Sequence, residues 1–406
     1  MSNVWSTRIG PPPPGTMHPE TEETLSNFFS EDPNACEPYA TADFTKLDPN
    51  CPYSKTITPL EVYTTITSFK HKAPGEDGIN KQHLIHLPKI FIVQLAHIYS
   101  AALSLGYFPD NLKSAIMVLI PKPNKPRCDP GNYRPISLLS TIAKIYGKIL
   151  AGRLSTFVDE NDHKHPHQYG FTKNRGTISS LAMTYENIAR QLAGPYRPRV
   201  SIVLRDIKSA FDRLDHRRIK YHLAEIKLPH LLRKALSSFL DNRTAKIRIG
   251  KTLGNSFPLL GGVPQGAGPS AHLFNLVIRK SPLGKNNRHQ YSAYADDCSQ
   301  TVATPANKNR ASAATQYHGL ELVRSFKKQN DPAKSWVIPI NQRIYPEIIV
   351  NSQEYRQPDH PVQLLGLTIT KYSFIASHIP KQVIKAKKAL GSILRFHTIP
   401  TKHKLV

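Results

Sequence analysis

The spacing of apolar residues along the chain predicts a series of amphipathic helices. The first regular one is TPLEVYTTITSFK, where Leu60, Tyr63 and Ile66 recur at helical spacing and Thr58 is a suitable N-terminal cap. The same period continues in LPKIFIVQLAHIYSAALSLG and in SLLSTIAKIYGKILAGRLSTFV, whose apolar face begins at Leu138. Further helices are predicted in TEETLSNFF, TISSLAMTYENIARQLA, HRRIKYHLAEI, HLLRKALSSFL, HLFNLVI and KQVIKAKKALGSILRF.

Short runs of β-branched and apolar residues between turn formers predict strands instead. SAIMVLIPKPN is a run ended by prolines, and RVSIVLRDI is typical of a buried strand. AKIRIGKTLGNSFPLL and YSAYADDCSQTVA each predict a hairpin. Because helices and strands are mixed without an alternating βαβ series, the pattern predicts an α+β fold. Residues 1–57 hold PPPPG and little periodicity, so we expect a linker or disordered segment there.

Charge and cysteine content narrow the class of protein. The 406 residues include 54 Lys and Arg against 29 Asp and Glu, a net charge of +25 spread along the chain. This excess favours a polyanionic partner such as nucleic acid, although a merely basic soluble protein is the alternative. The four cysteines form neither a zinc motif nor a disulfide framework, and no signal peptide or membrane span is evident. We therefore expect an intracellular protein, nuclear or cytoplasmic, with no membrane partner; its oligomeric state stays open.

Two adjacent carboxylates, Asp296 and Asp297, fall at the turn of the second predicted hairpin. Carboxylates about 4 Å apart repel by roughly 4 kcal/mol at an effective dielectric near 20, and a divalent cation reverses that repulsion. Asp206, at the end of the predicted strand RVSIVLRDI, could supply a third carboxylate. Such a set suits two-metal phosphoryl transfer. The simpler alternatives are a solvated turn at Asp296 and Asp297, and a helix cap at Asp212.

Several longer motifs carry a family resemblance. YADD on a hairpin, DIKSAFDRLDH and GGVPQGAGPSAHLFN resemble motifs of reverse transcriptases. KAPGEDGI, LIPKPN, NYRPISLLSTIAKIYGKIL, QYGFTKNRGT and LLGLTIT are similar to the polymerases of non-LTR (LINE-type) retrotransposons, in the same order, over roughly residues 58–370. The resemblance implies an RNA-directed DNA polymerase with a right-hand fold: fingers with the start of the palm at 58–200, palm at 201–370, and a truncated helical thumb at 371–406.

The resemblance also implies roles for individual residues. Asp206, Asp296 and Asp297 would be catalytic and would hold two Mg²⁺ or Mn²⁺ ions. The residues implied to bind the incoming dNTP are Lys122, Arg134, Phe211, Gln265, Gly266 and Lys334. Those implied to contact the RNA template and DNA primer are Gly366, Lys381, Lys385 and Lys388.

Each assignment has a plainer alternative. Phe211 could be a core aromatic, Lys122 and Arg134 ordinary surface cations, and the three tail lysines a solvated helix face. The tract HKHPHQ is not expected to hold a metal, because Pro166 interrupts it. The loop QGAGPSAHLF departs from the QGxxLSPxLF form that is more usual in the family, with Pro269 and Ala271 in place of Leu and Pro. This departure and the early end of the thumb favour a second hypothesis, a catalytically degenerate retroelement fragment that only binds nucleic acid. A two-metal nuclease is a third, although it leaves Phe211 and the PQG motif unexplained.

Overall fold

The chain divides into two compact units that alternate along the sequence. The computed structural model describes residues 19–30, 52–70, 73–123, 126, 129–193, 199–205, 207, 209–279, 289–304, 336–340, 348–350, 353–355, 362–365 and 367–369. Unit 1 comprises Met1–His165, Ser209–Lys280 and Ser325–Lys327, and unit 2 comprises Pro166–Lys208, Ser281–Arg324 and Lys328–Val406. The mixture of helices and strands is an α+β fold. The fingers, palm and thumb boundaries stay predictions.

Unit 1 contains most of the described helices and one sheet. Its helices are α1 (Pro19–Ser30), α2 (Pro59–Ser68), α3 (Lys81–Ile85), α4 (Lys89–Ser104), α5 (Thr141–Glu160), α7 (His216–Glu225), α8 (His230–Leu240) and α9 (Gly268–Ile278). Its strands are β1 (Ser114–Pro121), β2 (Tyr133–Leu139), β4 (Thr244–Ile249) and β5 (Thr252–Pro258). Unit 2 contains α6 (Thr177–Leu192), β3 (Arg199–Arg205), β6 (His289–Tyr294), β7 (Asp297–Thr304), β8 (Trp336–Ile340), β9 (Ile348–Val350), β10 (Gln353–Tyr355), β11 (Val362–Leu364) and β12 (Leu367–Ile369).

The sheet of unit 1 has the order β2-β1-β4-β5, in which β1 and β4 are parallel and the other pairs antiparallel. Helix α1 covers it: Leu25 is fully buried against a cluster that includes Met117, Ala245 and Phe257. The helix predicted in TEETLSNFF is therefore confirmed. Leu25 of this helix is part of the core of the sheet, which would not be the case for a residue of a linker.

The helices of unit 1 pack around α5, which contacts α2, α8 and α9. The ring of Tyr146 on α5 stacks on Tyr99 of α4, with ring centroids 5.0 Å apart. Helices α5 and α9 approach closely at Gly268, where a Cβ atom would lie 2.9 Å from the Lys148 Cα. Only glycine permits this approach of the two backbones.

Unit 2 is built on a second sheet, of order β6-β7-β3-β8, in which every pair is antiparallel. Helix α6 packs on it, and the β11–β12 hairpin joins the same core. The central strand β3 is buried from Val200 to Leu204, and that burial explains its continuous apolar sequence.

Two details of the sequence prediction were wrong. Strand β2 was not predicted, because Pro135 interrupts its apolar run; β2 is an edge strand of its sheet, where proline is tolerated. Leu138 consequently belongs to β2 and not to α5.

The second wrong detail is the face of α2, which buries Val62 and Ile66 while Leu60 and Tyr63 are 70% and 49% exposed. The Thr58 cap is confirmed, since its hydroxyl accepts from the Glu61 amide. The other predicted helices and strands within the described residues are present, and the tail helix lies outside them. In the described part of the chain no helix has both the length and the apolar character to cross a bilayer.

Candidate active site

The adjacent carboxylates lie at the tip of the β6–β7 hairpin in unit 2. Tyr294 pairs with Asp297, so Ala295 and Asp296 form a two-residue loop. We call residues 294–297 the Asp-Asp turn. Ala295 has φ +56°, the left-handed region that L-residues rarely adopt, while Asp296 and Asp297 are partly exposed. A tight hairpin turn thus presents two neighbouring carboxylates at the surface of this unit.

The end of the buried strand β3 lies beside this turn. In the antiparallel β3–β7 ladder, Arg205 pairs with Cys298, which immediately follows Asp297. Asp206 follows Arg205 in sequence but lies outside the described residues, so its carboxyl group has no stated position. The backbone register nevertheless brings the carboxyl end of β3 next to the Asp-Asp turn.

The donor set at this turn fits a hard divalent cation, because carboxylate oxygens are the ligands such ions prefer. Among the described residues there is no group of three or more His, Cys, Asp or Glu side chains able to hold a metal ion. The described residues contribute two carboxylates, Asp296 and Asp297. Lys334, Gly366, Lys381, Lys385 and Lys388 also lie outside the described residues, and their roles stay predictions.

In unit 1 the PQG motif is joined to the segment that follows Asp206 by two backbone hydrogen bonds. Val263 N donates to Phe211 O and Gly262 N donates to Leu214 O, each at 2.8 Å. The Phe211 ring stacks on Phe274 of α9, with centroids 4.8 Å apart and planes 17° from parallel. Phe211 therefore has the fixed ring that both sequence interpretations require, a core aromatic and a residue that binds the incoming dNTP.

The side chains of the two motifs also bind each other. Gln265 Nε2 donates to Asp212 Oδ1 at 2.8 Å. Burial raises the pKa of Asp212 to about 7, and the hydrogen bond from Gln265 and the positive charges of Lys122 and Arg213 only partly oppose this. The alternative of a helix cap at Asp212 does not hold for α7, because Asp215 caps this helix. Asp212 holds one end of the Gln265 carboxamide.

Gly262 is the tightest contact of this loop. Its φ is +74°, and a Cβ atom there would lie 2.8 Å from the Asp212 Cα and closer still to its carbonyl. His216 Nε2 donates to Gly262 O at 2.6 Å. Burial lowers the pKa of His216, so the neutral ring with its proton on Nε2 is the donor.

The remaining predicted nucleotide-binding residues lie on the β1–β2 side of unit 1. Lys122 follows β1, and its Nζ donates to Gly131 O at 2.8 Å. Arg134 is exposed on β2, opposite Ile120. Further along β2, Ser137 N donates to Gln265 O at 3.1 Å. Unit 1 therefore brings the PQG motif next to the strand that carries Arg134, and Lys122 within electrostatic reach of Asp212.

A cavity of about 30 Å³ lies under this loop. Its wall includes Asp212, Pro264 and the fully buried Arg243, whose pKa burial lowers to about 9. Arg243 Nη1 donates to Phe239 O at 3.0 Å, and the guanidinium packs over the Phe239 ring. The loop QGAGPSAHLF is firmly held, since Ser270 Oγ donates to Pro264 O at 2.8 Å and Pro269 lies in the first turn of α9.

Sequence reasoning missed Asp212 and His216 as partners of the PQG loop. Each lies about 50 residues before its partner in the chain, and no local periodicity indicates the contact. Their only signal is the motif FDRLDH itself, which places both residues shortly after Asp206.

Comparisons with known proteins give a consistent result. A family model described as "Reverse transcriptase (RNA-dependent DNA polymerase)" matches residues 120–343. The probable RNA-directed DNA polymerase from transposon X-element of Drosophila melanogaster is 26% identical over 80% of this chain and 36% of its own length. The RNA-directed DNA polymerase from mobile element jockey of the same species is 29% identical over 66% of this chain and 29% of its own length.

A third relative belongs to another element. It is the Pol polyprotein from type-1 retrotransposable element R2 of Popillia japonica, 30% identical over 54% of this chain and 29% of its own length. The chain thus spans about a third of the length of these relatives.

Proposed function

The chain belongs to the reverse transcriptase (RNA-dependent DNA polymerase) family, and from this premise we propose that it is the polymerase of a LINE-type non-LTR retrotransposon. Its reaction is the transfer of a nucleotide from a dNTP to the 3′-hydroxyl of a primer on an RNA template, with release of pyrophosphate. The observation that carries the proposal is the Asp-Asp turn beside the carboxyl end of β3, where the chain continues into Asp206.

Asp206, Asp296 and Asp297 would hold the divalent metal ions that the family uses, here two Mg²⁺ or Mn²⁺ ions. Bound there, the ions supply activation of the attacking hydroxyl and stabilisation of the leaving oxygen. The hairpin places Asp296 in its two-residue loop and Asp297 at the first position of β7, so the backbone positions of the two residues are set by the turn.

The unit 1 residues would bind the dNTP. Lys122 and Arg134 supply positive charge for the triphosphate, and Phe211 supplies a packed ring against the sugar. Gln265 and Gly266 present the PQG loop to the nucleotide, and the bond to Asp212 fixes the Gln265 carboxamide.

The same proposal includes the fold, the nucleic-acid partners and the cellular location of the protein. The fold is a right hand of fingers and palm with a thumb, the partners are an RNA template and a DNA primer, and the protein acts in the nucleus or cytoplasm. The net charge of +25 supports polyanionic partners.

Primer extension on an RNA template tests the proposal. Wild-type protein should incorporate dNTPs in the presence of Mg²⁺, and Asp296→Asn should lower kcat by at least about 100-fold because a metal-binding carboxylate is lost. Glu186→Gln is the matched control, since it removes one negative charge from exposed helix surface of unit 2 and should leave kcat unchanged.

Three other outcomes would contradict the proposal. Extension that persists in Asp296→Asn removes the turn from the catalytic centre. Tight, salt-dependent binding without extension supports the degenerate, binding-only fragment. Cleavage of a labelled strand without dNTPs supports a nuclease.

A further inference from the structure

The segment QYGF lies against the Asp-Asp turn within unit 2. Gln168 forms a parallel bridge with Ala293, the residue before the turn. On either side of this bridge, Tyr169 N donates to Ala293 O at 2.8 Å and Ala293 N donates to His167 O at 2.9 Å. The segment is therefore a backbone partner of the last residues of β6.

The Gln168 side chain binds both backbone polar groups of Ala295. Its Oε1 accepts from Ala295 N at 2.9 Å and from Gly170 N at 2.7 Å, while its Nε2 donates to Ala295 O at 3.3 Å. Gln168 is only 3% exposed, so water does not compete for these bonds. The two ends of one carboxamide thus match the N–H and C=O of a single loop residue.

The backbone of Ala295 has an unfavourable conformation that these hydrogen bonds stabilise. Of the two loop residues, Ala295 has a positive φ and Asp296 does not. This is the pattern of a type II′ turn, which favours glycine at the first loop position. Alanine at Ala295 is therefore strained, and Asp296 follows it directly. A turn that relaxed at Ala295 would rotate the Asp296 carboxylate away from its place.

Gly170 allows the close approach. A Cβ atom on Gly170 would lie 2.9 Å from the Ala295 Cα and closer still to its N. The QYGF segment and the turn are therefore in backbone contact, and a side chain at Gly170 would push on the strained residue.

We propose that Gln168 is a positioning residue that holds the Asp-Asp turn in its strained form, and so sets where the two carboxylates lie. The inference rests on the proposed function for its catalytic consequence, because it makes Gln168 act on nucleotide transfer only through Ala295 and Asp296. Gln168 is itself buried, so any effect on the substrate would pass through the turn.

The first test is Gln168→Met, which keeps the size of the side chain and removes all three hydrogen bonds. We expect kcat for primer extension to fall about 10- to 100-fold, with template–primer affinity and the KM for dNTP within about threefold of wild type. Gln191→Met is the matched control, because it makes the same change at a buried glutamine of α6.

The second test is rescue. Ala295→Gly removes the strain that Gln168 opposes, so the double variant Gln168→Met, Ala295→Gly should regain about 10-fold of the lost kcat.

If Gln168→Met does not fold, Gly170→Ala serves in its place, since its added Cβ displaces the same residue and should lower kcat to a similar extent.

Amide hydrogen exchange of the peptide that spans the turn gives a readout independent of activity. The Ala295 amide should exchange at least about 10-fold faster in Gln168→Met than in wild type or Gln191→Met. If the wild-type protein extends no primer but the Ala295 amide still exchanges faster in Gln168→Met, the proposed function is rejected and the positioning role of Gln168 at the turn stands.

Three outcomes would overturn the inference. Unchanged kcat in both Gln168→Met and Gly170→Ala would do so, as would unchanged exchange at Ala295. A parallel loss of template–primer binding and kcat that Ala295→Gly does not rescue would reduce Gln168 to a residue of general stability.

Discussion

Folding buries the carboxyl group of Asp212. Its hydrogen bond from Gln265 only partly offsets the loss of hydration of the charged form. Its pKa is raised from 3.8 to about 7. Between these values the folded protein keeps a proton that the unfolded chain releases. The contribution of Asp212 to stability is therefore fully present below about pH 4 and is lost as the pH rises to 7, by up to about 4 kcal/mol.

Asp212→Asn should remove this dependence, because asparagine does not ionise and its Oδ1 still accepts from Gln265. The free energy of unfolding of the variant, relative to wild type, should rise by about 2–3 kcal/mol between pH 5 and pH 8. Urea unfolding at the two pH values measures it. Asp162→Asn, at an exposed turn, controls for the loss of one negative charge; a pH-independent difference at Asp212 would contradict the assigned pKa.

Sequence analysis identified candidate site residues that belong to short motifs. Asp296, Asp297, Phe211 and Gln265 were found because each belongs to such a motif, although their catalytic and binding roles stay predictions. The partners that fix them were not found. Gln168 reaches Ala295 across 127 residues and Asp212 reaches Gln265 across 53, and such contacts leave no periodic trace in the sequence.

At the scale of elements, the PQG loop depends on a glycine that has both a positive φ and no space around it. Gly262→Ala would strain the backbone at φ +74° and force a Cβ atom into the Asp212 carbonyl. We expect a loss of about 2–4 kcal/mol of stability and a raised KM for dNTP, because the loop that carries Gln265 must move.

Gly250→Ala is the matched control for this change. Gly250 has φ +61° in the β4–β5 hairpin, but nothing lies within 4 Å of its added Cβ. Gly250→Ala therefore adds only backbone strain at the positive φ. The free energy of unfolding should fall by about 1 kcal/mol, and the KM for dNTP should not change. Equal effects of the two substitutions in urea unfolding and steady-state kinetics would contradict the close contact at Gly262.

Helices with a continuous apolar face were predicted well, since burial of that face is what stabilises them. Strand β2 was missed because a run containing Pro135 is disfavoured in most sheets, and only its edge position makes it possible. The face of α2 was misjudged for a related reason. Apolar spacing identifies a helix, but the packing of its neighbours decides which residues are buried.

At the scale of the whole molecule, the net charge of +25 should govern nucleic-acid binding. Neutralising phosphates releases counterions, so log K should fall linearly with log salt, with a slope of about −0.9 for each phosphate contacted. Replacing Lys381, Lys385 and Lys388 by Gln should make the slope less steep by about 2–3 if these tail lysines contact phosphates. Fluorescence anisotropy with a labelled template–primer at several salt concentrations measures it.

A second triple variant separates local contact from overall charge. Lys55, Lys70 and Lys251 are exposed cations of unit 1, and replacing them by Gln removes the same three charges. A slope that changes equally in both triple variants would assign the effect to the net charge and leave the tail lysines without a role.

The parallel pairing of β1 with β4 has a consequence for biosynthesis. Ser114 pairs with Thr244, so the ribosome must add 130 further residues before β1 can gain this neighbour. Throughout that interval one edge of an apolar strand remains open, and an open edge is a template for association with other chains. Slow translation between these strands should therefore favour aggregation of the nascent polypeptide, and chaperones that shield strand edges should increase its yield.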